Sequence, residues 1–305
     1  MARSLHNELA MGRKVQWESG SLWSRLEAQT AHGHKTGELH SIDTTFATVE
    51  SGGIPFKVYI LANLSRKEDA RKEQGKTKPA NPFLPYEEDL YVTDISDTHV
   101  CLLNKFNVVD HHFLIVTKAF EPQENWLNLA DFEALTKCLS EVDGLGFFNG
   151  GTVAGSSQPH KHLQVVPTEG EPLPIEKAIA PLEKNAVVRS PQLPYRHAIL
   201  RWETLPEPRQ ISENYHQLLN AIGIESDRWQ GTQTAPYNVL CTRQWMMLVP
   251  RSQEKYAGIS VNSLGFAGSL LVKDSATLEQ LIDISPIKLL SIVGFSPCES
   301  LPVHG

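Results

Sequence analysis

The chain has 305 residues, 41% hydrophobic and 21% charged, and its net charge of −7 argues against an extended nucleic-acid surface. No apolar run reaches membrane-spanning length and no signal-type apolar segment opens the chain, so the expected setting is the cytoplasm, with neither membrane nor nucleic acid as partner. The four cysteines, Cys101, Cys138, Cys241 and Cys298, lack CxxC spacing, which excludes a disulfide framework and a cysteine zinc site.

In chain order, Leu22, Trp23 and Leu26 are spaced for one helix face, while His32 and His34, with Gly33 between them, read as a solvated polar loop. Thr45 to Val49 and Ile54 to Leu61 read as strands joined by a Ser51-Gly52-Gly53 hairpin turn. Lys57 interrupts the second strand, and the residues alone place it on a solvated face. Ser65 to Ala80 is charged and poor in apolar residues. Its Ala70-x4-Gly75-Lys76-Thr77 approaches a P-loop, but no apolar strand precedes it and no helix follows, so that reading is rejected.

Beyond the proline-punctuated Asn81 to Pro85, Leu90 to Val92, Val100 to Leu103 and Phe113 to Val116 read as consecutive strands. His111 and His112, just ahead of FLIV, read as structural hydrogen-bonding groups rather than metal ligands. Ala130 to Val142 sets Phe132, Leu135, Cys138, Leu139 and Val142 on one stripe, a helix that Gly144 can end. After Pro167 comes a Pro- and Glu-rich connector to Pro194. A strand candidate at His197 to Trp202, a helix from Ser212 to Ile222 and a C-terminal helix capped by Ser285, with Pro286 first and Gly294 near its end, complete the chain.

The chemistry concentrates between Asn149 and Pro167, NGGTVAGSSQPHKHLQVVP. HLQVVP is β-branched and apolar, and on a strand His160, His162 and Gln164 share one face while Leu163 and Val165 take the other. Gly150, Gly151, Gly155, Ser156 and Ser157 suit a tight loop whose N–H groups and hydroxyls surround an anion. HxH alone could equally be a metal pair or two solvated histidines. The full pattern Asn-x5-Gly-x-Ser-x2-His-x-His-x-Gln is far more specific.

That pattern resembles the histidine-triad superfamily, in whose nucleotidyltransferase branch Gln replaces the third His. SSQPHKHLQ, together with NPFLPYEEDLYV, LLNKFNVVDHHFLIVTK and NSLGFAGSLLVK, is similar to the diadenosine tetraphosphate phosphorylases, or ATP adenylyltransferases, from about Phe56 to Lys273. The resemblance implies His162 as nucleophile, oriented by the carbonyl of His160, with Gln164 steadying a phosphohistidine. It implies that Asn149, Gly155, Ser156 and Ser157 hold the α-phosphate, that Asn104 faces a ribose, and that Lys57, Lys105 and Lys273 neutralise the polyphosphate. The implied reaction is reversible phosphorolysis of diadenosine tetraphosphate to ATP and ADP through an adenylyl-histidine. No tightly bound cofactor is expected beyond a divalent cation such as Mg with the polyphosphate.

From Tyr237 the chain echoes itself. Val239 to Arg243 followed by Met246 to Arg251 parallels Leu102 to Lys105 followed by Phe113 to Lys118, and Asn149-x4-Ala-Gly-Ser recurs as Asn262-x4-Ala-Gly-Ser without HxHxQ. The expected fold is therefore α+β, one histidine-triad-like domain over 1–305 built as a pseudo-dimer with antiparallel sheet. The catalytic half spans about 45–167, the degenerate half about 195–273, and a helical segment 274–305. Asn262, Ser269 and Lys273 then close the site in a functional monomer. Hexose-1-phosphate uridylyltransferase and a nucleotide sensor without turnover are the alternatives; Gln164 argues against a hydrolase.

Overall fold

The computed structural model describes residues 17–62, 81–226 and 228–297; the charged 65–80 stretch and Cys298 lie outside the described residues. Helix α1 (Leu22–Thr36) buries Leu22, Leu26, Thr30 and Gly33. It runs through His32 and His34, where the sequence predicted a loop. Gly33 is retained inside the helix because a Cβ there would meet the Leu39 Cβ at 2.9 Å. The helix ends on left-handed Gly37, and His32 Nε2 meets Asp89 Oδ1 at 2.7 Å on the surface.

Strands β1 (Thr44–Ser51) and β2 (Ile54–Leu61) form the expected hairpin, with Gly52 and Gly53 at φ 60° and 79° in the turn. Next come β3 (Tyr91–Asp94), β4 (His99–Leu103) and β5 (Phe113–Thr117). Helix α2 (Leu129–Glu141) starts with a capping box in which Asn128 and Asp131 serve each other's backbone N–H. Strands β6 (Gly144–Asn149) and β7 (His162–Pro167) flank the Gly/Ser loop. The connector holds the short helix α3 (Glu176–Ile179) and β8 (Val187–Val188), followed by β9 (Ala198–Arg201) and helix α4 (Pro208–Ala221), which begins earlier than predicted with Pro208 in its first turn. Strands β10 (Tyr237–Cys241), β11 (Trp245–Pro250), β12 (Lys255–Tyr256) and β13 (Ile259–Ser260) lead to helix α5 (Ser263–Phe266) and β14 (Ser269–Val272). Helices α6 (Ser275–Ile284) and α7 (Pro286–Val293) close the described chain.

The large sheet has nine strands in the order β3-β4-β5-β7-β6-β10-β11-β9-β8, all antiparallel. One face carries α1, α2 and α4 over a core that includes Phe132, Leu135, Tyr215, Leu218 and Phe148. The other face packs on α3, α5, α6, α7 and a three-stranded sheet, β1-β2-β14, around Phe56, Phe147, Trp245, Met247 and Phe266. Alternation along β6 sends Phe147 and Phe148 to opposite cores, as a strand covered on both faces requires.

The repeat register expected from Asn-x4-Ala-Gly-Ser is not the one adopted. The second copy lies on α5 and β14, and β14 pairs in parallel with β2, outside the large sheet. A string of small residues recurs without a shared position in the fold. Among the described residues no helix is long and apolar enough to cross a membrane.

Candidate active site

A cleft of about 1000 Å³ opens between the two sheets. Its floor is the face of β4, β5, β7 and β6 that carries Leu102, Leu114, His162, Gln164 and Phe147; Lys57, Tyr59, Ser269 and Leu271 line the opposite wall. Burying a histidine strand under a second sheet excludes most water, which decides the state of the imidazoles.

His162 is 4% exposed. Its Nδ1 lies 2.8 Å from the carbonyl oxygen of His160, an atom that only accepts, so Nδ1 carries the proton and Nε2 holds a lone pair. Desolvation pushes the pKa of His162 down from 6.5 to about 4, even though its bond to that carbonyl works in the other direction. The ring is therefore neutral at physiological pH. His197 has the same construction, with Nδ1 donating to the carbonyl of Tyr195 at 2.7 Å, but its Nε2 accepts the Ser190 N–H at 2.9 Å. Among the described residues, Nε2 of His162 has only the Gln164 amide nitrogen as a hydrogen-bonding neighbour, at 3.5 Å. Of these two buried, oriented imidazoles, only His162 offers a lone pair to the cleft.

His160 is held on both sides. Nε2 donates to the Thr117 carbonyl at 2.8 Å, and Nδ1 receives Asn81 Nδ2 at 2.9 Å. Burial lowers its pKa as well. The ring of Phe83 packs against both histidines, with centroids 5.7 and 5.3 Å away.

His162 occupies the end of β7 where the β6 ladder has stopped, and a side chain continues it. Gln123 Oε1 accepts the His162 N–H at 2.9 Å, and Nε2 donates to the carbonyls of Asn149 at 2.9 Å and His162 at 3.2 Å. This buried amide replaces a peptide group of a neighbouring strand. Behind it, Lys161 turns to the other face, fully buried, with Nζ 2.6 Å from Asp131 Oδ2, 3.2 Å from Glu121 and 2.9 Å from the Trp126 carbonyl. Burial alone would raise the Asp131 carboxyl; His99 and Lys161 hold it below its ordinary value.

Asn149 Oδ1 accepts from Asn238 Nδ2 at 2.8 Å and from the N–H and hydroxyl of Ser263 at 3.0 and 2.8 Å. That fixes the flip of the amide and leaves its Nδ2 as a donor on the cleft lining. Asn238 is in turn held by Arg251, a buried guanidinium that also reaches the Ala154 carbonyl at 3.1 Å.

The other sequence-predicted residues divide. Lys57, Asn104, Lys105, Gly155, Ser157, Asn262 and Ser269 line the cleft; Ser156 and Lys273 do not. Ser156 is buried, with its hydroxyl donating to Gln158 and its N–H to Gly151. The Gly155 N–H likewise turns back to Thr152, so neither amide is free for the anion contact the resemblance implied. Gly155, at φ 94°, allows this loop to meet α5: a Cβ would sit 2.8 Å from the Asn262 Cβ. Asn262 caps α5 by accepting from Leu264 N–H. Lys105 lies 3.0 Å from Glu38 and 2.6 Å from Glu87. Burial works to lower its pKa, but those two carboxylates outweigh it and the net direction is upward. Its charge is answered within the protein. Among the described residues Lys57 has no carboxylate against it, and it lies over the Phe46 ring at 4.8 Å. Asn104 Nδ2 lies 3.0 Å from His112 Nδ1.

Gln123, Asn81, Thr117, Phe83 and the Lys161–Asp131 pair were not anticipated. Asn81 and Phe83 lie in NPFLPYEEDLYV, Thr117 in LLNKFNVVDHHFLIVTK and Lys161 in HKH, but those stretches gave them no role; alternation sends Lys161 to the far face.

Two family models match the chain: the Ap4A phosphorylase N-terminal domain over residues 12–181 and the ATP adenylyltransferase C-terminal domain over residues 191–296. Diadenosine 5′,5‴-P1,P4-tetraphosphate phosphorylase 2 of Saccharomyces cerevisiae is 30% identical over 259 residues, covering 74% of this chain and 78% of the relative. The crystal structure of yeast Ap4A phosphorylase Apa2 superposes with a TM-score of 0.77 at 25% identity, over 90% of this chain and 94% of that one. Its complex with Ap4A gives 0.74 at 25% identity, over 90% and 97%. Matched in both its halves by the two domain models and 30% identical to a relative over most of both lengths, the chain belongs to the Ap4A phosphorylase (ATP adenylyltransferase) family.

Proposed function

We propose that this chain cleaves diadenosine tetraphosphate with inorganic phosphate, giving ATP and ADP reversibly, with His162 as the nucleophile. The observation that carries the reading is the uncapped Nε2 of a neutral, oriented imidazole, 3.5 Å from a glutamine amide and lining a cleft between two sheets. Nε2 attacks the α-phosphorus, the bond to the bridging oxygen breaks, and ATP leaves with that oxygen. The proton stays on Nδ1, donated to the His160 carbonyl, so the positive charge that develops on the ring meets an acceptor already in place. A phosphate oxygen then attacks the adenylyl-histidine, ADP departs, and Nε2 recovers its lone pair. Gln164 has no proton to give a leaving group, which favours an intermediate that outlasts the departure of ATP.

Asn149 Nδ2 and Ser157 are the proposed donors to the α-phosphate, and Lys57 the proposed counter-charge for the polyphosphate. His160 aims the nucleophile. A divalent cation such as Mg enters with the polyphosphate as part of the substrate. Both walls of the cleft come from one chain, so a monomer suffices.

The sheet order supports a duplication in a different register from the one read off the repeats. Reading outward from the β6–β10 contact, β6, β7, β5, β4 on one side face β10, β11, β9, β8 on the other, and α2 before β6 matches α4 before β10. The two halves are then about 99–167 and 187–250. The Gly/Ser loop between β6 and β7 corresponds to the three residues Thr242 to Gln244, and HLQ to apolar Trp245, Met246 and Met247. Only one half keeps the chemistry.

The test is product separation from diadenosine tetraphosphate with and without phosphate, together with trapping of an acid-labile adenylyl-enzyme. ATP plus ADP only with phosphate is expected. Rapid AMP release in phosphate-free buffer would contradict the reading.

A further inference from the structure

Gln164 can serve His162 in only one of its two amide orientations. With Nε2 toward His162 it offers a donor to the lone pair and to phosphoryl oxygens bound there; with Oε1 toward it, it offers a second lone pair and repels both. Nothing in a glutamine on a strand selects between them.

The selection comes from a chain of hydrogen bonds along the cleft floor. It begins at the backbone N–H of Phe106, which can only donate, and which reaches Asn104 Oδ1 at 3.4 Å. With Oδ1 the acceptor, Asn104 Nδ2 is the group 3.0 Å from His112 Nδ1, so Nδ1 accepts and the proton of neutral His112 sits on Nε2. His112 Nε2 lies 3.0 Å from Gln164 Oε1 and donates to it. Gln164 Nε2 is left facing His162 Nε2 at 3.5 Å. From the other end, the His160 carbonyl makes Nε2 of His162 an acceptor. Both ends agree, and the flipped glutamine would put two donors together at His112 and two acceptors together at His162. His112 reaches Gln164 because Leu114 pairs with Gln164 across β5 and β7, which sets His112 on the same face one step along. It is 7% exposed, and burial moves its pKa from 6.5 down to about 4, so the neutral tautomer is the working form.

We infer that His112 is a positioning residue for the adenylyl transfer: held by Asn104 in one tautomer, it locks the Gln164 amide with its N–H toward His162 and the phosphoryl group. The inference rests on the function proposed above. A merely structural histidine would satisfy its neighbours equally well, so the test must isolate action through Gln164.

Four proteins separate the readings: His112→Leu, Gln164→Ala, the double variant and His112→Gln, each checked by thermal unfolding and assayed for kcat and KM with saturating phosphate. Removing one oriented donor at a developing oxyanion typically costs about 100- to 1000-fold in kcat. Loss of the lock alone should cost His112→Leu about 10- to 100-fold in kcat, with KM changed little. In the Gln164→Ala background the same substitution should have no further effect. His112→Gln, which retains a donor near the position of Nε2, should recover most of the rate and covers the case in which the leucine variant folds poorly. An equal loss with and without Gln164 overturns the positioning role while leaving phosphorolysis standing. No ATP-plus-ADP production by the native chain overturns both.

Discussion

Gln123 is the side chain whose removal should most directly disturb the nucleophile without touching substrate. Its amide makes three bonds, to the N–H and carbonyl of His162 and to the carbonyl of Asn149. Gln123→Ala leaves the buried N–H and carbonyl of His162 without partners and the Asn149 carbonyl with the Gly151 N–H alone. An unmet buried group costs roughly 1–3 kcal/mol, so the loss is about 3–5 kcal/mol after some relief by water in the vacated space. Gln123→Met keeps the volume and admits no water, so it should destabilise at least as much. Gln123→Glu retains the acceptor for His162 N–H but sets a carboxylate against two carbonyl oxygens, and should be the worst of the three when ionised.

Catalysis should suffer more than stability implies. The peptide plane at His162 sets the direction of its Cβ, and a 1 Å displacement of a reacting group costs about 100-fold in rate. Urea unfolding would give the stability change, and the amplitude and rate of adenylyl-enzyme formation the catalytic one. A Gln123→Ala protein with unfolding free energy within about 0.5 kcal/mol of native and unchanged adenylylation would refute the idea that this amide stands in for a missing strand.

Acid should act on stability before it acts on the nucleophile. His112 and His162 each titrate near pH 4 in the fold against 6.5 when free, so their contribution to stability is complete above 6.5 and is lost as pH falls toward 4. Urea midpoints should therefore decline below pH 6.5, while kcat measured on still-folded protein holds to about pH 5; a kcat midpoint at 6.5 would contradict the buried, neutral His162. Asp131→Ala, leaving Lys161 buried against Glu121 alone, should cost about 3–5 kcal/mol in unfolding, and combining Asp131→Leu with Lys161→Met should recover much of it. Gly155→Ala forces a Cβ to 2.8 Å from Asn262 at φ 94°, so lower thermal stability and a higher KM are expected together. Lys57→Ala should raise KM for the dinucleotide about tenfold, the loss of roughly one well-placed charge contact, whereas Lys273→Ala, outside the cleft lining, should leave it unchanged.

What the sequence revealed follows from which forces have a local signature. Strands β1 to β5, helix α2 and the hairpin at Gly52-Gly53 were legible because alternation, a 3.6-residue stripe and turn glycines are set within a few residues of each other. The HxHxQ strand was legible for the same reason, its period of two placing His162 and Gln164 together before any tertiary contact is known. The continuation of α1 through His-Gly-His was not, because the argument for Gly33 is the Cβ of Leu39 close by, and intrinsic propensity opposes it by about 1 kcal/mol. The repeat failed in the opposite way: Asn-x4-Ala-Gly-Ser recurs in sequence, but strand order ignores it, since register is decided by which faces are buried rather than by shared small residues.

The polar machinery shows why residue lists are weaker than geometry. Asn104 and Lys105 carry the chemical capacity the resemblance assigned to them, yet in the fold one is turned to His112 and the other to Glu38 and Glu87. Gln123 stands in a loop segment, EPQEN, with no period and no motif, and becomes the ladder partner of the nucleophile only because β6 ends at Asn149. An amide or an imidazole has a direction as well as an identity, and direction is fixed by partners distant in sequence. Gln164 is 52 residues from His112, and it is that contact, not the letter Q, that decides whether a donor or an acceptor faces the phosphorus.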